Sequence, residues 1–446
     1  MDRRTFIKGM VSSVALSSIP QNIKIDSSKK EQKHPNIIFI LCDDLGYGDL
    51  GCYGNPVIRT PHLDKLASEG MRFTDFYAAS PVCSPSRAGT ITGRTPNRTG
   101  IYDWIPANSG VYLRIDEVSV VQILKSMGYT TCHSGKWHLN SRFDGSEPTP
   151  SEHGFDFWLS TQNNADPSHY NPVNFIRNGE AVGEQKGYSS TIIINEAIEF
   201  IHRVYRQPFI VFIWFHTPHE TIATPNEFVD WYPGFADRTK SEYYGNISQM
   251  DYEVGRLLQV IEDLKLKDNT LVMFTSDNGP ETLRRYTGAI RSHGLPGPLR
   301  GMKLHIYEGG IRVPGILRWP GNTQPGQVCH EPISGVDILP TFCEIAGANV
   351  PDDRAIDGTS ILPIFKGKPI QRQVPLYWQY DRALSRPKIA IREGAWKLLT
   401  TADLQDFELY NLEDDWGETK NLANSEPERI KTMAKILKWM HKDVNQ

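Results

Sequence analysis

The residues Cys83-Ser84-Pro85-Ser86-Arg87 have the form C-x-P-x-R and run on into Ala88-Gly89-Thr90-Ile91-Thr92-Gly93-Arg94. A cysteine in this frame is open to enzymatic oxidation to formylglycine, an aldehyde whose hydrate is a geminal diol and an oxygen nucleophile. Taken alone, such a cysteine is more commonly a small buried hydrophobe, so its meaning rests on its surroundings. Four other groups carry chemistry. Asp43-Asp44 offer hard oxygen ligands for Ca²⁺ or Mg²⁺, or else the polar end of a solvated turn. Lys136 and His138 alternate and can point the same way from an extended segment. His216 with His219, and Asp277 with Asn278, complete the set.

The elements that must position these residues are short apolar runs. Asn36–Cys42, Tyr129–His133, Phe209–Phe215 and Thr270–Thr275 read as buried parallel strands, and each is followed by one of the polar groups. Helices are predicted from Pro61 to Gly70 with Thr60 as cap, over Asp116–Met127, over Ile192–Tyr205 and over Gln249–Leu264. Pro85 and the run Arg87–Ile91 put Cys83 at a helix N-terminus, where the helix dipole and free N–H groups favour an anion. Strands alternating with helices predict an α/β fold with a mostly parallel central sheet flanked by helices. The four polar groups then lie along one sheet edge, where open α/β sheets place ligands.

Asp144–Gly187 reads as a long loop, of a length that is usually functional or disordered, carrying Gln162, Asn163, Asn164 and His169. Beyond residue 370 the runs 376–380, 389–392, 396–399 and 409–411, then a helix over 427–440, predict a smaller antiparallel sheet with a C-terminal helix. The expected organisation is a leader over 1–33, a catalytic domain over 34–370 and a C-terminal subdomain over 371–446.

A length of 446 residues exceeds what one core usually serves. A formal net charge of −4 leaves no basic excess for nucleic acid. The six cysteines show no C-x-x-C pair; they read as buried thiols, with a Cys42–Cys52 disulfide as the alternative. Asp2-Arg3-Arg4-Thr5-Phe6-Ile7-Lys8 resembles a twin-arginine export signal. The apolar stretch Gly9–Ile19 behind it is shorter than the ~20 residues a membrane span needs. The expected location is the periplasm of a Gram-negative bacterium, with no membrane span.

Over residues 35–446 the chain resembles the type I, formylglycine-dependent sulfatases of the alkaline-phosphatase-like superfamily. The resemblance is carried by Asp43-Asp44-Leu45-Gly46, Cys83 to Arg94, Gly135-Lys136-Trp137-His138, Pro218-His219, Ser276-Asp277-Asn278-Gly279, Lys303 with Tyr307-Glu308-Gly309-Gly310, Ile391-Arg392-Glu393-Gly394 and Leu409-Tyr410-Asn411-Leu412. The pattern is nearest to galactose and N-acetylgalactosamine sulfatases. The resemblance implies that Asp43, Asp44, Asp277 and Asn278, with the converted Cys83, hold one Ca²⁺. It implies that Arg87 stabilises the hydrate, that Lys136 and Lys303 clamp the sulfate, and that His219 protonates the leaving sugar oxygen. His138 would take the proton of the remaining hydroxyl as sulfate is expelled.

Asn163, Asn164, His169, His216 and His305 are candidates for the sugar pocket, His216 equally for a structural place. Trp104, Trp231 and Trp378 are candidate stacking surfaces. The implied partners are a sulfated carbohydrate and a formylglycine-generating maturase. Competing readings are a phosphomonoesterase or phosphonate hydrolase of the same superfamily, and a binder of sulfated glycans in which Cys83 stays unconverted.

Overall fold

From Ile37 to Cys42 both odd and even positions are apolar. In the computed structural model, which describes residues 34–446, they enter opposite cores. Ile37, Phe39 and Leu41 join one apolar cluster, while Ile38, Ile40 and Cys42 join the other. A strand covered on both faces needs no polar alternation. The twin-arginine-like stretch lies outside the described residues.

The large sheet comprises β1 Asn36–Cys42, β2 Met71–Tyr77, β3 Thr130–Lys136, β4 Phe157–Thr161, β5 Ile176–Arg177, β6 Glu180–Ala181, β7 Phe209–Trp214, β8 Thr270–Ser276, β9 Arg312–Arg318, β10 Gln327–Cys329 and β11 Ile333–Ser334. Its order is β10-β2-β9-β8-β1-β7-β3-β4-β5-β6, with β11 also on β2. The strands from β8 through β1, β7 and β3 to β4 are parallel. The four strands read from the sequence are therefore neighbours at the centre.

Other elements differ from expectation. β9 runs antiparallel between β2 and β8. Pro314 and Gly315 make it read as a breaker. The Tyr53 hydroxyl mends the ladder there: it lies 2.7 Å from both the N–H and the carbonyl of Gly315, where the β2 register shifts. β4 lies inside the predicted loop. The predicted Asp116–Met127 helix is shorter, Val120–Ser126, because Ser119 caps it by accepting from the Gln122 N–H at 3.0 Å. The helix expected from Gln249 begins at Arg238, capped by Asp237. The six cysteines are free, Cys42 and Cys52 included. No helix among the described residues is long and apolar enough to cross a membrane.

β12 Leu376–Gln379, β13 Ile389–Glu393, β14 Trp396–Thr400 and β15 Phe407–Asn411 form an antiparallel sheet in that order. Helix Pro427–Val444 covers one face through Met433, Leu437 and Met440. The other face puts Trp378 and Tyr380 in one cluster with Tyr77, Cys83 and Tyr307. Beside this apolar contact lies a buried ionic one. Lys397 Nζ donates to Glu308 at 2.9 Å and lies 2.8 Å from Glu418. Tyr77 donates to Glu308 at 2.6 Å, and Asp75 pairs with Arg312 at 2.8 Å and Arg392 at 2.7 Å. Burial opposes ionisation of Glu308, yet Lys397 and Arg312 hold it down at about 2, while burial pushes Glu418 up to about 7.

Removing one partner of a buried pair leaves an uncompensated charge, at about 3–5 kcal/mol. Lys397→Ala is therefore expected to lower unfolding free energy by about that amount, read as a lower urea midpoint at unchanged slope. A midpoint equal to wild type would show that the pair does not carry this contact.

Candidate active site

Register brings the polar groups together. Cys42 pairs with Ser276, Leu41 with Trp214, and Gly135 also with Trp214. The residues that follow on each strand thus emerge at one edge. Gly135 has φ +115°, and a Cβ there would meet the Trp214 carbonyl oxygen at 1.9 Å. Only glycine lets β3 approach β7 this closely and still deliver Lys136. His138 also has positive φ, 55°, so the segment is not simply extended as expected. Helix Cys83–Thr92 starts after Val82, which has no side-chain acceptor for the first N–H groups. Pro85 has no N–H and the Ser86 N–H donates to the Val82 carbonyl at 3.2 Å, so the start of this helix keeps only the Cys83 and Ser84 donors beside the edge.

At the edge three carboxylates meet three cations. Lys136 Nζ lies 2.6 Å from Asp43 and donates to Asn164 at 3.1 Å. Arg87 donates to Asp277 at 2.7 and 3.0 Å and to the Lys136 carbonyl at 2.7 Å. Lys303 lies 2.7 Å from Asp44. All six side chains are buried. Against its burial, Lys136 and its neighbouring cations hold Asp43 well below the usual carboxylate range. Burial and then Asp43 push Asp277 up to about 7; burial pushes Asp44 up to about 6, Asp43 adding to the rise against Lys303.

The donor set fits a divalent cation. Asp43 Oδ1 and Asn278 Oδ1 are buried and have no hydrogen-bond partner. Asn278 spends its amide N–H on Asp44 at 2.7 Å, which leaves that oxygen bare. Ligand atoms of Asp43, Asp277 and Cys83 lie within 4.8 Å of one another. Crowded carboxylates with raised proton affinity and unpaired oxygens are what a hard cation relieves. Asp43, Asp44, Asp277 and Asn278 would hold it, and it would supply positive charge for an anionic substrate.

The histidines divide. His138 Nε2 faces the Ile105 carbonyl at 3.1 Å, so it carries the ring proton, and the buried Nδ1 is left without a partner. Burial, with Lys136 and Arg87 nearby, depresses its pKa well below the ordinary value. It is a neutral base with a free lone pair. His219 Nδ1 faces the Glu220 carbonyl at 2.6 Å, which turns Nε2 toward Asp44, 3.5 Å away. Burial and then Lys303 lower His219 to about 3. Burial pushes the Cys83 thiol up to about 12.

Above these groups opens a cavity of about 510 Å³. Its lining includes Cys83, His138, Asn163, Asn164, His219 and Lys303, all anticipated. It does not include three residues expected in the sugar pocket. His305 folds back on the Met302 and Lys303 carbonyls at 3.0 and 3.2 Å. His216 is spent on Thr161 at 2.7 Å, and His169 on Asn246 at 3.3 Å. Among the tryptophans, Trp378 is 1% exposed and donates to the Ala78 carbonyl, and Trp231 packs on Phe228 elsewhere. Trp104 does line the cavity, 45% exposed.

Sequence reasoning missed Asp103, Glu281, Arg285, Tyr380 and Arg382 on the rim. Glu281 had a signal, since it follows Asn278 by one short turn on the loop leaving β8. Tyr380 and Arg382 had none, because the approach of the C-terminal sheet to this edge is tertiary.

A family model described as Sulfatase matches residues 35–348, and one described as N-sulphoglucosamine sulphohydrolase, C-terminal, matches residues 302–446. N-acetylgalactosamine-6-sulfatase of Sus scrofa is 36% identical over 374 residues, covering 77% of this chain and 68% of that protein. Steryl-sulfatase of Homo sapiens is 32% identical over 417 residues, covering 75% and 70%. The crystal structure of Ps i-CgsB in complex with k-i-k-neocarrahexaose superposes with a TM-score of 0.82 at 28% identity, covering 93% of this chain and 94% of that one.

A cation bound only by the folded state stabilises it by about 2.7 kcal/mol at a hundredfold excess over Kd. Ca²⁺ or Mg²⁺ is therefore expected to raise the melting temperature of wild type and to leave that of the near-isosteric Asp43→Asn and of Asn278→Ala unmoved. An equal rise in all three proteins would remove these residues from the donor set.

Proposed function

This chain belongs to the sulfatase family and is a sulfuric ester hydrolase, and on that premise we propose that it removes sulfate from a terminal galactose or N-acetylgalactosamine. In this reading Cys83 acts in its formylglycine form, made by a maturase, and the cation is Ca²⁺. The all-oxygen donor set Asp43, Asp44, Asp277 and Asn278 supports a hard ion over zinc.

One observation carries the carbohydrate reading. Asn163 Oδ1 is buried at the cavity wall with no hydrogen-bond partner. A sugar hydroxyl would satisfy it, whereas a sterol skeleton would leave it against hydrocarbon. Unpaired buried polar groups cost about 1–3 kcal/mol each, so the wall selects a hydroxylated alcohol. The recessed catalytic groups support attack on a terminal residue. The similarity to N-acetylgalactosamine-6-sulfatase supports the galacto configuration.

The converted Cys83 supplies an oxygen nucleophile, and a bound cation neutralises charge on the sulfate. The chain's own residues do the rest. Lys136 and Lys303, both fixed to carboxylates, face the ester's anionic oxygens. Such preorganised charges cost no rearrangement as the reaction proceeds. Arg87 has its donors committed to Asp277 and the Lys136 carbonyl, so it orients those groups from below. His219, its Nδ1 on the Glu220 carbonyl, presents Nε2 to the leaving oxygen. An anionic ester beside that ring favours its protonated form. His138 accepts a proton at its free Nδ1. Export by the twin-arginine route belongs to the same proposal, on the strength of Arg3-Arg4.

The test is sulfate release from galactose, N-acetylgalactosamine, glucose and N-acetylglucosamine monosulfated at each position. The enzyme is co-expressed with a maturase, and the Cys83 peptide is weighed in parallel. Release is expected from galacto-configured sugars only, falling to background in Cys83→Ala. Activity in that variant would refute the nucleophile. No release from any sugar by protein whose peptide carries formylglycine would refute the substrate.

A further inference from the structure

Trp104 is an indole 45% exposed on the rim of the catalytic cavity, yet both its chain neighbours are anchored. On one side, the Asp103 carboxylate accepts from the Trp104 backbone N–H at 2.9 Å, from the Tyr380 hydroxyl at 2.9 Å and from Arg382 at 2.7 Å. On the other side, Ile105 is buried. Its N–H donates to the Ser84 hydroxyl at 3.1 Å, and its carbonyl faces His138 Nε2 at 3.1 Å. Ser84 follows the Cys83 nucleophile position. The backbone that carries the indole is therefore tied at one end to the C-terminal sheet and at the other to His138 and to Ser84 beside the nucleophile position.

A large apolar side chain left open to water, on a backbone held from both sides, is built for a ligand with a flat apolar face. A pyranose has such a face, formed by its axial C–H groups, and a rim of hydroxyls. The cavity offers the match: indole on one part of its wall, the amides of Asn163 and Asn164 on another. Aromatic walls with a few placed polar groups are the usual make-up of small-molecule sites.

We propose that Trp104 is the platform on which the pyranose ring of the substrate stacks, and that Asp103 is the positioning residue that holds it there. The inference rests on the carbohydrate reading above and assigns its specificity to this pair. Trp104 contributes binding to the sugar and none to the sulfate group, which lies on the floor with Lys136 and Lys303.

The test compares matured wild type, Trp104→Ala, Trp104→Phe and Asp103→Asn. KM and kcat are measured on the best monosulfated sugar, and inhibition by inorganic sulfate, which has no ring, is measured alongside. Trp104→Ala is expected to raise KM at least tenfold with kcat within threefold, and to leave the sulfate inhibition constant unchanged. Trp104→Phe should restore KM to within threefold, and Asp103→Asn should fall between. An unchanged KM in Trp104→Ala, or KM and the sulfate constant rising together, would overturn the assignment while leaving the carbohydrate reading intact. Failure of wild type to hydrolyse any sulfated sugar would overturn both.

Discussion

Asp43, Asp44 and Asp277 are buried at the ends of two adjacent strands, within reach of one another. Carboxylates withdrawn from water are tolerated only when paired. The pairing cations come from three other places: Arg87 from the helix after β2, Lys136 from the end of β3, and Lys303 from the loop between β8 and β9. No local segment balances its own charge. The edge is neutralised only when the whole central sheet is in register, and a one-residue slip would turn each group to the wrong face. Folding and site assembly are thus one requirement here. The glycine that lets β3 approach β7 and the hydroxyl that mends β9 both serve it.

Much of this was legible in advance. Runs such as Phe209–Trp214, apolar at every position and too short for a typical helix, fit strands covered on both sides, and in a parallel sheet the polar residues behind them collect at one edge. What stayed hidden was hidden for physical reasons. Pro314 and Gly315 disguise β9, because its missing ladder bonds are supplied by a tyrosine more than two hundred residues away. Proximity to a strand end also did not say where a ring points. His138 and His216 both follow strand ends and each keeps an unpaired Nδ1, yet the first ring lines the cavity and the second, turned onto Thr161, does not. Trp378 sits in a strand whose inward face meets Ala78, whereas Trp104 sits in a loop and stays open.

The C-terminal sheet does two jobs through two kinds of contact. Its apolar face and the Lys397–Glu308 pair press on the segment that runs from Lys303 to Arg312, so the position of Lys303 depends on it. Its β12–β13 turn reaches further and brings Tyr380 and Arg382 to the cavity rim, where they hold Asp103.

The floor and the rim of the cavity are therefore built from different material. The floor is made of strand ends and a helix start, every charge of which is answered by another. The rim comes from loops: Asp103 and Trp104, Asn163 and Asn164, Glu281 to Tyr286, Tyr380 to Arg382. Rim charges are matched among themselves, Glu281 with Arg285 and Asp103 with Arg382. Two contacts join the layers, Glu281 with Lys303 at 4.0 Å and Asn164 with Lys136 at 3.1 Å, so a lineage that kept these and exchanged the other loops, and with them the alcohol that is recognised, would leave the electrostatic balance beneath in place. Such a division lets one reaction diversify over many substrates by drift at its margin while its centre stands still.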